Sequence, residues 1–100
     1  MEFSDEIMKV LSLSDIVIFS KPNCAYCNDL KEFLTGVTEY TVADVERMPK
    51  PVYEEFIETV LSNTDLESFP ICFMNKQYIS MSDLKKKLTL SFKDDDIDNI

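Results

Sequence analysis

The chain has 100 residues, 45% of them hydrophobic, and its 19 acidic and 10 basic side chains give a net charge of −9. This length and apolar content suit one compact domain, while the negative charge argues against binding to nucleic acid or anionic lipids. The longest apolar run, IVIF (16–19), is far shorter than the roughly 20 residues of a membrane span. Because the N-terminus is acidic, unlike the basic start of a signal peptide, we expect a cytosolic protein.

Three cysteines and no histidine restrict the possible chemistry. A reducing compartment does not preserve structural disulfides, so any disulfide here is expected to be transient and catalytic. The lack of histidine excludes Cys/His and Ser/His sites for acyl transfer, and it leaves thiolates and carboxylates as the available metal ligands.

The first half of the chain predicts a helix, a strand, a helix and a strand. Ser4 is placed to cap the first helix. The run IVIFS (16–20) is continuously apolar and β-branched, which is typical of a central strand buried on both faces. Apolar residues then recur at helical spacing from Cys24 until Gly36, which is placed to end the helix. The β-branched and aromatic run VTEYTVADV (37–45) predicts the second strand.

The second half of the chain predicts a third helix followed by a β-hairpin. Pro51 is placed as the first residue of this helix, because proline is tolerated where no intrahelical N–H bond is needed. The run FPICFMNKQYIS (69–80) predicts two strands joined by a tight turn at Asn75 and Lys76. Since the turn contains no glycine, it must bend with side chains at both central positions.

A last helix completes the predicted α/β fold. Ser82 or Asp83 can cap this helix, and residues 93–100 are a charged tail that we expect to fray beyond a domain of residues 1–92. The order αβαβαββα predicts a four-stranded mixed sheet flanked by helices. The first two strands should be parallel, because a helix connects them.

Cys24 and Cys27 form a Cys-X-X-Cys pair at the junction between the first strand and the second helix. A sulfur at a helix start lies near unpaired N–H groups and the positive end of the helix dipole, which favour thiolate over thiol. Cys24 is therefore the predicted nucleophile. Cys27, one turn further on, is the predicted resolving thiol, and Lys21 adds a positive charge that either favours the thiolate or receives a substrate carboxylate.

Two other interpretations of the cysteine pair stay open. The pair is also half of a zinc site, but with one further cysteine and no histidine such a site is incomplete in one chain, so no metal site is predicted. Alternatively, both thiols are incidental core residues. Cys72 lies in a predicted apolar strand and is interpreted as a core residue.

The segment IVIFSKPNCAYC (16–27) resembles the first strand and active site of the glutaredoxins, which are thioredoxin-fold thiol-disulfide oxidoreductases that use glutathione. The segment SFPICFMN (68–75) resembles that family's Thr-Val-Pro segment, and YISMSDL (78–84) resembles its last turn and helix start. The resemblance covers about residues 3–90. It implies a thioredoxin-like fold, and electron transport from glutathione to protein disulfides or glutathione mixed disulfides.

The resemblance also implies a set of glutathione-binding residues: Lys21, Tyr26, Phe69, Pro70, Ser82 and Asp83. The lysine would meet the glycine carboxylate, the tyrosine would lie beside the tripeptide, and the phenylalanine backbone would pair with the cysteinyl part before a cis-proline. The serine and aspartate match the helix start that receives the γ-glutamyl end. A simple helix cap is the other interpretation of these two residues.

Three positions depart from the family pattern. Ser80 and Met81 replace a glycine pair that allows close approach to the ligand, and Ala25 stands where proline is common. Some members without that proline bridge a [2Fe-2S] cluster between two subunits with glutathione. The favoured hypothesis is a monomeric enzyme with glutathione as co-substrate. The alternatives are a cluster-binding dimer or non-catalytic binding module, and a thioredoxin-like reductant with another electron donor.

Overall fold

The computed structural model describes residues 1–66 and 68–98, with side chains as far as residue 89. The helices are α1 (Asp5–Leu11), α2 (Ala25–Leu34), α3 (Lys50–Asn63) and α4 (Met81–Asp98), and the strands are β1 (Ile16–Ser20), β2 (Thr41–Asp44), β3 (Ile71–Met74) and β4 (Gln77–Ile79). A short 3₁₀ helix, Val45–Arg47, lies between β2 and α3. The predicted order αβαβαββα is confirmed.

The four strands form one mixed sheet in the order β2-β1-β3-β4. Strand β1 pairs in parallel with β2 and antiparallel with β3, which in turn pairs antiparallel with β4. This arrangement confirms the predicted parallel first pair and terminal hairpin. Strand β1 is internal, and all five of its residues are buried, as its continuous apolar run predicts.

Alternation along β1 divides the core into two clusters, one on each face of the sheet. Val17 and Phe19 pack with residues of α1 and α3 in one cluster. Ile16 and Ile18 pack with residues of α2 and α4 in the other. Successive side chains of a strand point to opposite faces, so a short apolar strand anchors both helical layers.

Two predicted boundaries are wrong by a few residues. Strand β2 begins at Thr41, whereas the prediction began at residue 37. The register pairs Thr41 with Val17 near the start of β1, and the residues before Thr41 have no strand partner there. Helix α3 begins at Lys50 with Pro49 as its N-cap, so Pro51 is the second helical residue and not the first.

The hairpin turn at Asn75 and Lys76 is confirmed, and both residues have left-handed backbone conformations, with φ of 52° and 67°. Left-handed conformations at both central residues are the geometry of a tight two-residue hairpin, where glycine is usually favoured. Asparagine tolerates this conformation better than lysine does, because its short polar side chain bonds locally.

The cap of α4 is Ser80, which corrects the prediction that Ser82 or Asp83 caps this helix. The Ser80 hydroxyl accepts a hydrogen bond of 3.1 Å from the backbone N–H of Asp83, while Met81 is already helical. Strand β4 ends at Ile79 and α4 begins two residues later, so Ser80 is the single residue available for the cap.

Ser4 occupies the predicted N-cap position of α1, but its hydroxyl makes no capping hydrogen bond. This hydroxyl is buried and has no hydrogen-bond partner among the described residues. Ser4 therefore marks the helix start without satisfying an N–H group there.

The backbone of α4 continues to Asp98, past the predicted domain boundary at residue 92. Residues 99 and 100 of the predicted frayed tail lie outside the described residues, and the division into 1–92 and 93–100 stays a prediction. Within residues 1–66 and 68–98, the helices are too short or too polar to cross a membrane.

Replacing Ser80 by alanine should lower the free energy of unfolding by about 1 kcal/mol, since the Asp83 N–H loses its acceptor. Ser82→Ala is the matched control and should change stability by less than about 0.5 kcal/mol, because Ser82 is exposed within the first turn. Urea denaturation of both variants measures the difference. A larger loss in Ser82→Ala would contradict the assigned cap.

Candidate active site

The turn between β1 and α2 brings Cys24 to the start of the helix. The chain leaves the buried strand at Ser20 and reverses direction through Asn23, which has a left-handed φ of 59°. Asparagine is among the residues that adopt this conformation most readily. Cys24 follows as the N-cap of α2 with an extended backbone, as the strand-to-helix junction predicts.

The sulfur of Cys24 itself caps helix α2. It accepts a hydrogen bond of 3.2 Å from the backbone N–H of Cys27, and its thiol can donate to the carbonyl oxygen of Phe69 at 3.7 Å. Only 8% of Cys24 is exposed. A helix N-terminus and an N–H donor both favour negative charge on this sulfur, which suits a nucleophile.

Cys27 is completely buried one turn into α2. The pKa of its thiol is raised to about 11, mainly by burial and also by the hydrogen bond with Cys24, while a hydrogen bond from the backbone of Lys21 lowers it. At neutral pH Cys27 is therefore protonated. The two thiols of the pair thus occupy different environments although they are only one helical turn apart.

Cys72 lies in β3 and is 1% exposed, which confirms its interpretation as a core residue. Burial raises the pKa of this thiol to about 12, with a smaller contribution from the neighbouring charge of Cys27. Among the described residues, no three Cys, Asp or Glu side chains are grouped in a way that could hold a metal ion.

A cavity of about 340 Å³ brings distant parts of the chain together, and one of its wall residues, Phe69, has its carbonyl oxygen 3.7 Å from the Cys24 sulfur. Its walls include the predicted residues Tyr26, Phe69 and Pro70 and the two positions that replace the glycine pair, Ser80 and Met81. The Phe69–Pro70 peptide bond is cis, as the resemblance implies. Three segments that are far apart in sequence therefore form one site.

Four residues of this cavity were not predicted as site residues: Asp65, Leu66, Ser68 and Tyr78. Burial raises the pKa of the Tyr78 hydroxyl, and the negative charges of Cys72, Asp65 and Asp83 raise it further. Asp83 thus lies within electrostatic reach of the cavity although it does not line it. The sequence offers no signal for Asp65, which lies in a polar linker. Tyr78 could have been predicted as a site residue, because it lies two positions before Ser80.

Lys21 does not line this cavity but contacts Phe69, one of its wall residues. It borders a second groove, of about 470 Å³, together with the first turn of α3 and the segment before it. Its Nζ lies over the Phe69 ring, 5.3 Å from the ring centroid. Three of the six predicted binding residues, Tyr26, Phe69 and Pro70, line the cavity. Lys21 contacts the Phe69 ring. Ser82 and Asp83 lie in the first turn of α4, directly after the lining residues Ser80 and Met81.

A sequence model of the Glutaredoxin family matches residues 16–79, which include both thiols, the cis-proline and strands β1 to β4. The chain belongs to the glutaredoxin family. This assignment gives it a thiol-disulfide oxidoreductase role, and it identifies glutathione as the substrate that the family uses. No curated protein sequence matches the chain.

Solved glutaredoxins share this fold. The dithiolic glutaredoxin 2-C-Grx1 of Trypanosoma brucei brucei is 27% identical, with a TM-score of 0.66 over 80% of this chain and 82% of that chain. Reduced glutaredoxin C1 of Populus tremula x tremuloides is 23% identical, with a TM-score of 0.68 over 86% and 74%. Oxidized glutaredoxin 2 of Chlamydomonas reinhardtii is also 23% identical, with a TM-score of 0.63 over 87% and 82%.

In the Cys24→Ser variant, we expect iodoacetamide to label Cys27 slowly at pH 8. The labelling rate should rise about tenfold per pH unit above pH 8, because only the thiolate reacts and burial, the largest cause of the raised Cys27 pKa, remains in the variant. Mass spectrometry of the labelled peptides measures each thiol separately. Complete labelling of Cys27 in urea at pH 8 is the control, and equally fast labelling in the native protein would contradict a buried thiol.

The raised pKa of Cys27 also determines how the contribution of this thiol to the free energy of unfolding changes with pH. The folded protein holds the Cys27 proton more tightly than the unfolded chain, so this stability is complete below the ordinary pKa of 9.0 and is lost as pH rises through about 11.

Proposed function

We propose that this glutaredoxin is a monomeric cytosolic enzyme that uses glutathione to reduce protein disulfides and glutathione mixed disulfides. The observation that carries the proposal is the position of the Cys24 sulfur. It lies at the N-terminus of α2 and 3.7 Å from the carbonyl oxygen of Phe69, a residue of the cavity wall. All three cysteines are free thiols in this structure.

The charges around Cys24 suit a tripeptide with an ammonium group at one end and a carboxylate at the other. Asp65, Tyr78 and Ser80 line the cavity together with Phe69. The Lys21 ammonium lies over the ring of Phe69, 5.3 Å from its centroid. Glutathione bound across Cys24 would place its γ-glutamyl ammonium towards Asp65 and its glycine carboxylate towards Lys21.

Reduction of a glutathione mixed disulfide begins when the Cys24 thiolate attacks the glutathione sulfur. The substrate S–S bond breaks, the protein thiolate leaves and takes up a proton, and Cys24 is joined to glutathione. A second glutathione thiolate then attacks the bound glutathione sulfur, which releases Cys24 and glutathione disulfide. One free glutathione is consumed in total, because the other half of the glutathione disulfide comes from the mixed disulfide itself.

Reduction of a protein disulfide uses Cys27 as well. Cys24 first forms a mixed disulfide with the substrate, and Cys27 then attacks the Cys24 sulfur, which releases the second substrate thiol and forms a Cys24–Cys27 disulfide. Two glutathione thiols then reduce this bond and leave as glutathione disulfide. While Cys24 is a thiolate, its negative charge is one of the causes that raise the pKa of Cys27. Formation of the mixed disulfide removes the charge on Cys24, which lowers the pKa of Cys27 at the step that needs the Cys27 thiolate. The Cys27 proton passes to the departing substrate thiolate.

A second candidate function is disulfide reduction with an electron donor other than glutathione. Ser80 and Met81 place two side chains in the cavity wall where glutathione-binding relatives are expected to have glycines. These side chains reduce the space for close approach of a tripeptide backbone.

A glutathione-coupled reduction assay on cysteine variants tests the proposed mechanism. We expect Cys24→Ser to fall to the uncatalysed rate with every substrate, because serine supplies no thiolate. Cys27→Ser should still reduce glutathione mixed disulfides but should lose protein disulfide reduction. Cys72→Ala is the matched control, since this buried thiol lies in the core, and it should retain both activities.

The outcome with the unchanged protein separates the two candidates. Turnover with glutathione supports the proposal, whereas turnover only with a thioredoxin-type donor would support the second candidate. Full activity of Cys24→Ser would overturn the assignment of the nucleophile.

Lys21→Ala should lower kcat/KM for a glutathione mixed disulfide by about two- to fivefold, which is the effect of losing an exposed ion pair with a carboxylate. The rate at which neutral iodoacetamide labels Cys24 should fall less, because that reagent offers no carboxylate. Stopped-flow kinetics with both reagents measure the two losses. Equal losses would instead assign Lys21 to activation of the thiol.

A further inference from the structure

The Lys21 ammonium lies over the aromatic ring of Phe69. The Nζ atom lies 5.3 Å from the ring centroid, within the roughly 6 Å range of cation–π attraction. The ring itself is held in place, because Phe69 is partly buried against the core cluster that includes Phe19 and Phe56. The long Lys21 side chain thus lies against a ring that is held by packing in the core.

Competing carboxylates do not hold Lys21 in an ion pair. Glu46 borders the same groove, but the two ion pairs within the described residues join Arg47 to Asp44 and Lys50 to Glu54. Lys21 is exposed, and its four-carbon side chain would sample many positions in water without the ring.

We propose that Phe69 is a positioning residue: its ring holds the Lys21 ammonium beside Cys24, so that the site favours reaction partners that carry a carboxylate near the reacting atom. The link to Cys24 is short, since the carbonyl of the same residue lies 3.7 Å from the Cys24 sulfur. Phe69 thus contacts the Lys21 ammonium through its ring and the Cys24 thiol through its carbonyl oxygen. The proposal deepens the proposed function, because it makes Phe69 a determinant of glutathione recognition.

Labelling of Cys24 with two matched reagents tests this role without glutathione. Iodoacetate and iodoacetamide both alkylate the thiolate with loss of iodide, but only iodoacetate carries a carboxylate. The ratio of their rate constants therefore reports the positive charge that reaches Cys24. A general disturbance of packing would change both rates together and leave the ratio constant.

We expect Phe69→Leu to lower the iodoacetate-to-iodoacetamide ratio by about two- to fivefold, the factor that an exposed cation–π contact supplies. Lys21→Gln should lower the ratio at least as far, and the double variant should fall no further than Lys21→Gln alone. Phe69→Tyr keeps an aromatic face and should keep the ratio.

Phe33→Leu is the matched control. Phe33 makes the same kind of contact with Lys85, at 5.7 Å from its ring centroid, but on the helical layer formed by α2 and α4. Its loss should leave the ratio at Cys24 unchanged.

The inference is overturned if Phe69→Leu keeps the ratio while Lys21→Gln lowers it, or if Lys21→Gln itself keeps the ratio. It is also overturned if Phe33→Leu lowers the ratio as far as Phe69→Leu does. These outcomes are independent of the proposed function, because a protein that fails to turn over glutathione still reports the ratio. With turnover established, the same variants should show a raised KM for the glutathione mixed disulfide and a smaller change in kcat.

Discussion

Burial of β1 on both faces is the constraint on which the rest of this structure depends. Five consecutive buried residues need a strand partner on each side and a helical layer above and below. Val17 and Phe19 pack with residues of α1 and α3, while Ile16 and Ile18 pack with residues of α2 and α4. The turn that carries Cys24 therefore extends from the end of a strand that is packed on both faces.

Cys24 combines a structural role with its chemistry. Its sulfur accepts the N–H of Cys27, and so it occupies the place where serine or aspartate commonly caps a helix. The same N–H donor and the helix dipole favour negative charge on that sulfur. Cys27 is buried in the next turn and keeps its proton, so one helical turn separates a thiol suited to attack from a thiol that reacts second.

Much of the fold and part of the site could be predicted. The apolar run of β1 and the helical spacing after Cys24 are local patterns, and they are confirmed within a residue or two. The start of β2 could not be predicted, because it is set by the register with β1, and the cap of α4 depends on where β4 ends. The proximity of Asp65 to the site also lacks a local signal, since a polar linker residue has no periodic pattern.

The order of elements, the junction that carries the thiols and the absence of histidine chemistry follow from residue type and local spacing. The contact between Lys21 and Phe69, and the cavity that Tyr26, Pro70 and Ser80 share, arise from the folded arrangement of the chain. The tertiary structure also buries Cys27 and places the Cys24 sulfur 3.7 Å from the carbonyl oxygen of Phe69. The reason is that contacts between residues more than forty positions apart arise from sheet topology and packing, which no short segment encodes.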